Sequence, residues 1–185
     1  MGVASIFTQG QRQFETVRDV VFAGHYEKDG RLECLEALAG KHRLNLFGGG
    51  WNRASISEQS TLRSSLPVHV LLGSEYRLAL SGAKIALCFL STLNKDTYTR
   101  RNFEIPAMET FMLSQYTEDL AGLYQEGVEA EFFRSKEELL DKTDFYLKNE
   151  SSRTRIAHAG FERLKRDGHD VTSRMKSFLA QLSKL

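Results

Sequence analysis

The sequence predicts an α/β fold: a single doubly wound, Rossmann-like domain with a mostly parallel sheet and with C-terminal helices packed on it. Two observations carry this prediction. Short apolar runs alternate with helical segments between residues 20 and 148, which is typical of βαβ units with helices on both faces of a sheet. The run from Ile85 to Leu90 is apolar at every position, as expected for a strand that is covered on both faces.

The composition indicates one globular domain with a net charge close to zero. A chain of 185 residues fits a single domain, and 41% apolar residues are enough to fill a core, which excludes a disordered chain. Lys and Arg number 25 against 24 Asp and Glu, a formal net charge of +1. No global field therefore attracts a nucleic acid or a membrane surface, and we expect no nucleic-acid partner.

The cysteines and the start of the chain predict the compartment. Cys34 and Cys88 have no metal-type spacing and cannot form a disulfide scaffold, so we expect a reducing compartment. Residues 1–7 lack a basic segment followed by a long apolar one, and no apolar run approaches the roughly 20 residues that span a bilayer. The sequence thus predicts a cytoplasmic protein that is not integral to a membrane.

The first elements are predicted to be two strands around a helix. Residues 20–23 form a compact apolar run that Gly24 ends, as in a buried strand. Leucines recur at helical spacing over 29–39, and Gly40 is placed to end that helix. A second strand is predicted at 44–47, where three glycines follow it.

The middle of the chain predicts a third strand and a second helix. The polar stretch 52–65 has room for a short helix. Residues 68–72 are apolar enough for a strand, with Pro67 at its beginning. Ser74 is placed to cap a helix that ends near Leu80.

Three more strands are predicted after that helix. Residues 83–90 are the strongest strand candidate, and a polar loop at 91–100 leads from them to a helix over 103–109. Strands are then predicted at 110–113 and 128–133, with a helix between them.

The rest of the chain is predicted to be helical. Ser135 and Glu138 form a capping box that opens a helix through Leu147. Residues 150–185 predict two helices separated near Gly168. Since no repeat or low-complexity tract divides the chain, we assign residues 1–18 to an N-terminal extension or linker and 19–185 to one domain.

A ligand site is expected beyond the carboxyl ends of the strands. Glycines at those ends let the backbone approach a ligand closely, although ordinary turn chemistry explains any single glycine equally well. Gly48 and Gly50 would need a third glycine at Arg53 to complete a dinucleotide fingerprint, and the sequence has no P-loop. It therefore supports neither a Rossmann oxidoreductase nor a P-loop nucleotidase, and no acidic cluster follows the first strand to indicate a receiver domain.

The segment 96–107, Asp-Thr-Tyr-Thr-Arg-Arg-Asn-Phe-Glu-Ile-Pro-Ala, carries the most functional information. Glu104 and Pro106 suit ordinary helix initiation. Arg100 and Arg101 lie near the positive end of a helix dipole, where an anion or nearby carboxylates must neutralise them. A diphosphate is such an anion, and Glu104 would then accept hydrogen bonds from the hydroxyls of a ribose.

At these residues the sequence resembles the C-terminal, nucleotide-sugar-binding domain of GT-B glycosyltransferases. Residues 101–107 are similar to the signature R-x-F-E-x-x-A of the spore-maturation-protein-like (CgeB-type) group, with its "glycosyl transferases group 1" domain. Other segments resemble the family in the same order along the chain. They are 21–24 with 31–33, 46–51 and 83–89 before this signature, and 137–140 and 155–160 after it.

The resemblance implies a donor substrate and a set of site residues. The chain would bind a nucleotide-diphosphate sugar, with no further cofactor. Glu104 would hold the ribose, and Asp96, with seven residues between the two, would approach the sugar or diphosphate; these are the predicted catalytic residues. Arg101 would bind the diphosphate, with Arg100 and Lys95 behind it. The predicted binding residues are Gly24, His25, Tyr26, Gly73, Ser74, Arg100, Arg101, Asn102, Phe103 and Glu104.

The resemblance also implies a partner. A full GT-B enzyme has two Rossmann-like domains, and the acceptor lies mainly on the N-terminal one. We therefore expect an N-terminal acceptor domain, either in a longer chain or on a partner chain. The alternative is a non-catalytic Rossmann-like module that binds a nucleotide, a glycan or a protein.

Two residue types carry weaker predictions. None of the five histidines pairs with Cys or Asp at metal-ligand spacing, so we predict no metal site. Trp51 is predicted to pack in the core behind the glycine turn, with stacking on a base or sugar as the alternative.

Overall fold

The computed structural model describes residues 18–169 and 171–182, without the side chains of Val171 and Ser177. It has the predicted α/β architecture, a five-stranded parallel sheet with helices on both faces. The predicted N-terminal extension, apart from residue 18, lies outside the described residues.

The strands are all parallel and follow the order β2-β1-β3-β4-β5. Their bounds are β1 Arg18–Ala23, β2 Leu44–Phe47, β3 Ala83–Cys88, β4 Met112–Gln115 and β5 Glu131–Phe133. The chain leaves β1 for β2 on one side and then crosses to β3 on the other. The switch point of the sheet therefore lies between β1 and β3.

The described ranges contain seven helices. They are α1 Arg31–Ala39, α2 Gly73–Ser81, α3 Arg101–Ala107, α4 Glu118–Leu123, α5 Lys136–Lys148, α6 Glu150–Arg166 and α7 Val171–Leu182, with single 3₁₀ turns at Trp51–Arg53 and Thr61–Ser65. The Ser135 hydroxyl accepts a hydrogen bond from the Glu138 amide, 3.1 Å away, which confirms the predicted cap of α5. Of the helices in the described ranges, none has the length and apolar character needed to cross a bilayer.

Alternate residues of the strands face two separate cores. Val20 and Phe22 of β1 pack with leucines of α1 and α5, whereas Val21 and Ala23 pack with residues of α2, α3 and α4. This alternation follows from the two-residue period of a strand. Both faces of the sheet are therefore buried, as the apolar run at 85–90 predicts.

The predicted third strand at 68–72 is wrong. The side chain of Asn52 satisfies both backbone groups of Val68: its Oδ1 accepts from the Val68 amide at 2.8 Å and its Nδ2 donates to the Val68 carbonyl at 2.9 Å. The segment meets the end of β2 through a bond from the Gly48 amide to the His69 carbonyl, 2.9 Å long. It is extended but forms no ladder with β2, and it runs instead along the carboxyl edge of the sheet.

Candidate functional site

A cavity of about 1090 Å³ opens at the carboxyl ends of β1 and β3, at the switch point of the sheet. Its walls are the loops after β1, β2 and β3, the segment before α2, and the beginning of α3. Of the eleven predicted site residues, eight line this cavity: Gly24, His25, Gly73, Ser74, Asp96, Arg100, Arg101 and Glu104.

Arg101 brings a fixed positive charge to the floor of the cavity. Its guanidinium donates to the carbonyl of Ala23, the last residue of β1, at 3.3 Å, and to that of Phe89, just after β3, at 3.2 Å. Burial alone disfavours the charged form, but the nearby Cys88, Tyr76 and Glu104 outweigh it and hold the pKa of Arg101 above its ordinary value. Among the described residues no carboxylate lies within ion-pair distance of Arg101. The site thus contains a cation that its own protein surroundings do not neutralise by an ion pair.

Glu104 brings a carboxylate to the same cavity, and the side chain is largely buried. Its Oε2 accepts a hydrogen bond from the Tyr76 hydroxyl, 2.9 Å away, and its Oε1 lies 2.8 Å from Nε of Arg100. Burial, followed by the charge of Glu104, raises the pKa of Tyr76 well above its ordinary value, so the phenol stays protonated and donates.

Three predicted binding residues do not line the cavity. Asn102 is fully buried: its Oδ1 accepts from the Thr99 amide at 2.8 Å, and its Nδ2 donates to Ser114 at 3.0 Å. Tyr26 packs edge-on against Trp51, and the ring of Phe103 packs against those of Tyr98 and His169. The geometry gives these three side chains contacts that position the loop after β1 and the start of α3.

Lys95 and Asp96 differ in their placement. Lys95 lines a second cavity of about 620 Å³, at the carboxyl ends of β4 and β5. Asp96 lines both cavities, so it lies on the boundary between them.

Arg31 lines the cavity and was not among the predicted site residues. It is 2% exposed, pairs with Asp29 at 2.5 Å and with Glu27 at 3.4 Å, and donates to the carbonyls of His25 and Leu90. These bonds join the loop after β1 to the end of β3. The available signal was an arginine at the first position of a helix, where the dipole disfavours a cation unless carboxylates surround it.

The glycines after β2 allow two backbones to approach closely. A Cβ on Gly48 would stand 2.1 Å from the carbonyl oxygen of Gly24. That same oxygen accepts a hydrogen bond from Nε1 of Trp51, 2.8 Å away, and Trp51 is fully buried. The predicted packing of Trp51 in the core is therefore confirmed. The glycine loop after β2 contacts the backbone of Gly24 and so holds this part of the cavity wall in place.

Metal-ligating side chains are scattered in the part of the chain that the structure describes. No group of three or more His, Cys, Asp or Glu is found there in an arrangement that would hold a metal ion. The charged groups that face the cavity are those of Arg31, Glu27, Asp96, Arg77, Arg100, Arg101 and Glu104.

The sequence matches the glycosyl transferase-like family over residues 31–180. The chain belongs to this family. No curated protein matches the sequence. The family membership agrees with the predicted resemblance to glycosyltransferases. Membership of the narrower spore-maturation-protein-like group stays a prediction.

Solved structures share the fold at low sequence identity. The C-terminal domain of a glycosyl transferase group 1 family protein (LpcC) from Francisella tularensis has a TM-score of 0.64 and 12% identity, with 90% of this chain and 97% of that domain covered. A glycosyltransferase from Rickettsia africae gives 0.68 and 14%, with 91% and 48% covered. HepE from Anabaena, in complex with UDP-glucose, gives 0.67 and 12%, with 91% and 49% covered. The chain thus spans about half the length of the Rickettsia and Anabaena proteins and has the fold of one half of a GT-B structure.

Proposed function

We propose that this domain is the donor half of a glycosyltransferase, which binds a nucleotide-diphosphate sugar for transfer of the glycosyl group to an acceptor held by an N-terminal domain. The observation that carries the proposal is the presence of Arg101 and Glu104 on one wall of the switch-point cavity. A volume of about 1090 Å³ is sufficient for a ligand of this size. The complex of HepE with UDP-glucose supports the proposal by analogy of fold.

Arg101 is proposed to bind the diphosphate. Its guanidinium is charged, faces the cavity and lacks a carboxylate partner among the described residues, so an anionic ligand would supply the missing counter-charge. Arg100, which is largely exposed at the rim, would add a second positive charge.

Glu104 is proposed to bind the ribose, and Asp96 to approach the sugar. When the bond between the anomeric carbon and the diphosphate breaks, negative charge grows on the leaving diphosphate, and the arginines would stabilise it without a metal ion or further cofactor. The acceptor oxygen forms the new bond to the anomeric carbon, and its proton passes to a base. Since this chain spans about half of the full-length relatives, we assign the acceptor and its binding surface to the partner domain.

Calorimetric titration with UDP-glucose and with GDP- and dTDP-sugars tests donor binding. We expect one of these to bind, and expect Arg101→Met and Glu104→Gln each to weaken binding by about 10-fold or more, because each removes a charge-assisted hydrogen bond. Arg53→Met, at an exposed arginine outside the cavity, is the matched control and should leave binding unchanged. A folded domain that binds none of these nucleotide sugars would refute the proposal and favour the non-catalytic alternative.

A further inference from the structure

The carboxylate of Glu104 is held by two side chains that differ in how closely they are packed. Tyr76 lies in the first half of α2, and its ring packs against the core that contains Leu80 and Ile105. Arg100 precedes α3, and its side chain is 74% exposed. Because Tyr76 is anchored by packing and Arg100 is not, Tyr76 is the partner that fixes the direction of the carboxylate.

The bond from Tyr76 leaves room for a ligand on the same carboxylate. A carboxylate has about four acceptor positions, and Tyr76 and Arg100 take one on each oxygen. One position therefore remains on Oε1 and one on Oε2. Two vicinal hydroxyls of a ribose can use both positions only when the plane of the carboxylate is fixed relative to the cavity.

We propose that Tyr76 is a positioning residue that orients Glu104 toward the vicinal hydroxyls of a ribose and thereby makes the site selective for ribonucleotides over 2′-deoxyribonucleotides. This inference rests on the proposed donor-binding function. It narrows the donor class to nucleoside diphosphates with a 2′-hydroxyl and disfavours dTDP-sugars. Tyr76 acts through Glu104, and the selectivity is lost when its hydroxyl is removed.

A purely structural explanation makes a different prediction. If the bond between Tyr76 and Glu104 only joined α2 to α3, its loss would lower the stability of the domain and weaken every nucleotide alike. A positioning role changes the ratio of affinities for nucleotides that differ in one hydroxyl. That ratio is therefore the quantity to measure.

The experiment is a calorimetric titration of the domain with UDP, 2′-deoxy-UDP, GDP and 2′-deoxy-GDP. In the wild type we expect the ribonucleotide to bind about 10-fold more tightly than its deoxy form, the effect of one hydrogen bond to a charged group. In Tyr76→Phe we expect this ratio to fall to about 1–3, with the affinity for the deoxy form changed by less than about twofold. Tyr98→Phe removes a hydroxyl from a tyrosine outside the cavity lining and should keep the wild-type ratio.

A second variant keeps the inference testable if Tyr76→Phe does not fold. Arg100→Met removes the exposed partner of Glu104 and retains Tyr76, so both nucleotides should bind more weakly while their ratio stays within about threefold of the wild-type value. Loss of selectivity in Arg100→Met, or a wild-type ratio in folded Tyr76→Phe, would overturn the positioning role and leave the donor function standing. Failure of the wild type to bind any of the four nucleotides would overturn the positioning role, and the donor function falls with it only if the UDP-, GDP- and dTDP-sugars also fail to bind.

Discussion

Arg101 and Glu104 face the same cavity from one turn of α3, yet each is held by different neighbours. Arg101 donates to the carbonyls of Ala23 and Phe89 at the carboxyl ends of β1 and β3, while Glu104 is bonded to Tyr76 and Arg100. The guanidinium and the carboxylate therefore do not form an ion pair with each other. This separation leaves a positive and a negative group in the cavity, as the recognition of a diphosphate and a ribose requires.

The first prediction concerns the stability of Arg101→Met. The two bonds from the guanidinium are long, and its Nε is buried without a hydrogen-bonding partner among the described residues. Replacing a partly satisfied buried cation with an apolar side chain is often neutral or stabilising. We expect the free energy of unfolding to change by less than about 1 kcal/mol, or to rise, while nucleotide binding is lost.

Urea denaturation of wild type and Arg101→Met at neutral pH measures this effect. Arg31, a buried arginine that pairs with Asp29 and Glu27, is the comparison, and Arg31→Met should be clearly destabilising because it leaves two carboxylates without their partner. A loss of more than about 2 kcal/mol in Arg101→Met would mean that Arg101 is retained for structure and not for an anionic ligand.

The second prediction concerns Arg100→Ala. Its ion pair with Glu104 is well placed at 2.8 Å, but the arginine side chain is 74% exposed. Exposed ion pairs contribute about 0–1 kcal/mol, so the melting temperature should change by only a few degrees. A large loss of stability, measured by thermal unfolding, would show that Arg100 supports the fold and is not a mobile rim residue.

The third prediction compares two glycines with positive φ. Gly48 has φ of 130° and Gly73 has φ of 54°, so alanine is strained at both positions. A Cβ on Gly48 would collide with the backbone of Gly24, whereas a Cβ on Gly73 would meet nothing within 4 Å. We expect Gly73→Ala to cost about 1–2 kcal/mol and Gly48→Ala to cost clearly more, because the backbone contact cannot relax cheaply.

Chemical denaturation of the two variants tests that difference directly. Both substitutions add the same methyl group, but φ of 130° lies outside the left-handed helical region that φ of 54° occupies, so part of the larger loss at Gly48 is backbone strain. Equal losses of stability would show that backbone strain alone explains Gly48, and that its contact with Gly24 does not hold the cavity wall.

The sheet could largely be predicted from the sequence because its signals are local. Buried parallel strands read as short apolar runs ended by turn residues, and five of the six predicted strands exist in the structure. The sixth, at 68–72, fails because the apolar run carries no information about a pairing partner. Asn52 satisfies the backbone of Val68 from 16 residues away, and that contact is not encoded in the run itself.

The candidate site could be predicted as a segment, but not residue by residue. Arg101 and Glu104 are three positions apart and share a helix face, but this follows only from a helix that begins at Arg101, whereas the sequence predicts one over 103–109. Tyr76 was missed because its partner Glu104 is 28 residues away, and the bond that takes Arg31 across to Leu90 spans 59 residues. A lone tyrosine in an amphipathic segment gives no local sign of such a contact, and the position of Arg31 at the start of a helix signals nearby carboxylates but not Leu90.

The last prediction concerns acid denaturation and the carboxylate of Glu126. This side chain accepts hydrogen bonds from Arg134 and Lys142, each at 2.8 Å, on the edge of the sheet next to β5. The bond from Arg134 is the largest cause that lowers the pKa of Glu126, from 4.5 to about 2, against an opposing effect of burial. A carboxyl whose pKa is lower in the folded state contributes stability above its unfolded pKa and loses it as the pH falls through its folded pKa.

We therefore expect Glu126→Gln to be less stable than the wild type by about 1–2 kcal/mol at pH 7, after allowance for solvent screening. The difference should shrink between pH 4.5 and pH 2, because the wild-type carboxyl takes up a proton in that range and the amide does not. Urea denaturation across this pH range measures the difference, and Glu58→Gln, at an 82% exposed glutamate paired with Arg63, is the control. A difference in the free energy of unfolding that stays constant from pH 7 to pH 2 would contradict this prediction. It would show that Glu126 acts through its shape and hydrogen bonds, because a charge that pairs with Arg134 and Lys142 must lose its effect when the carboxyl is protonated.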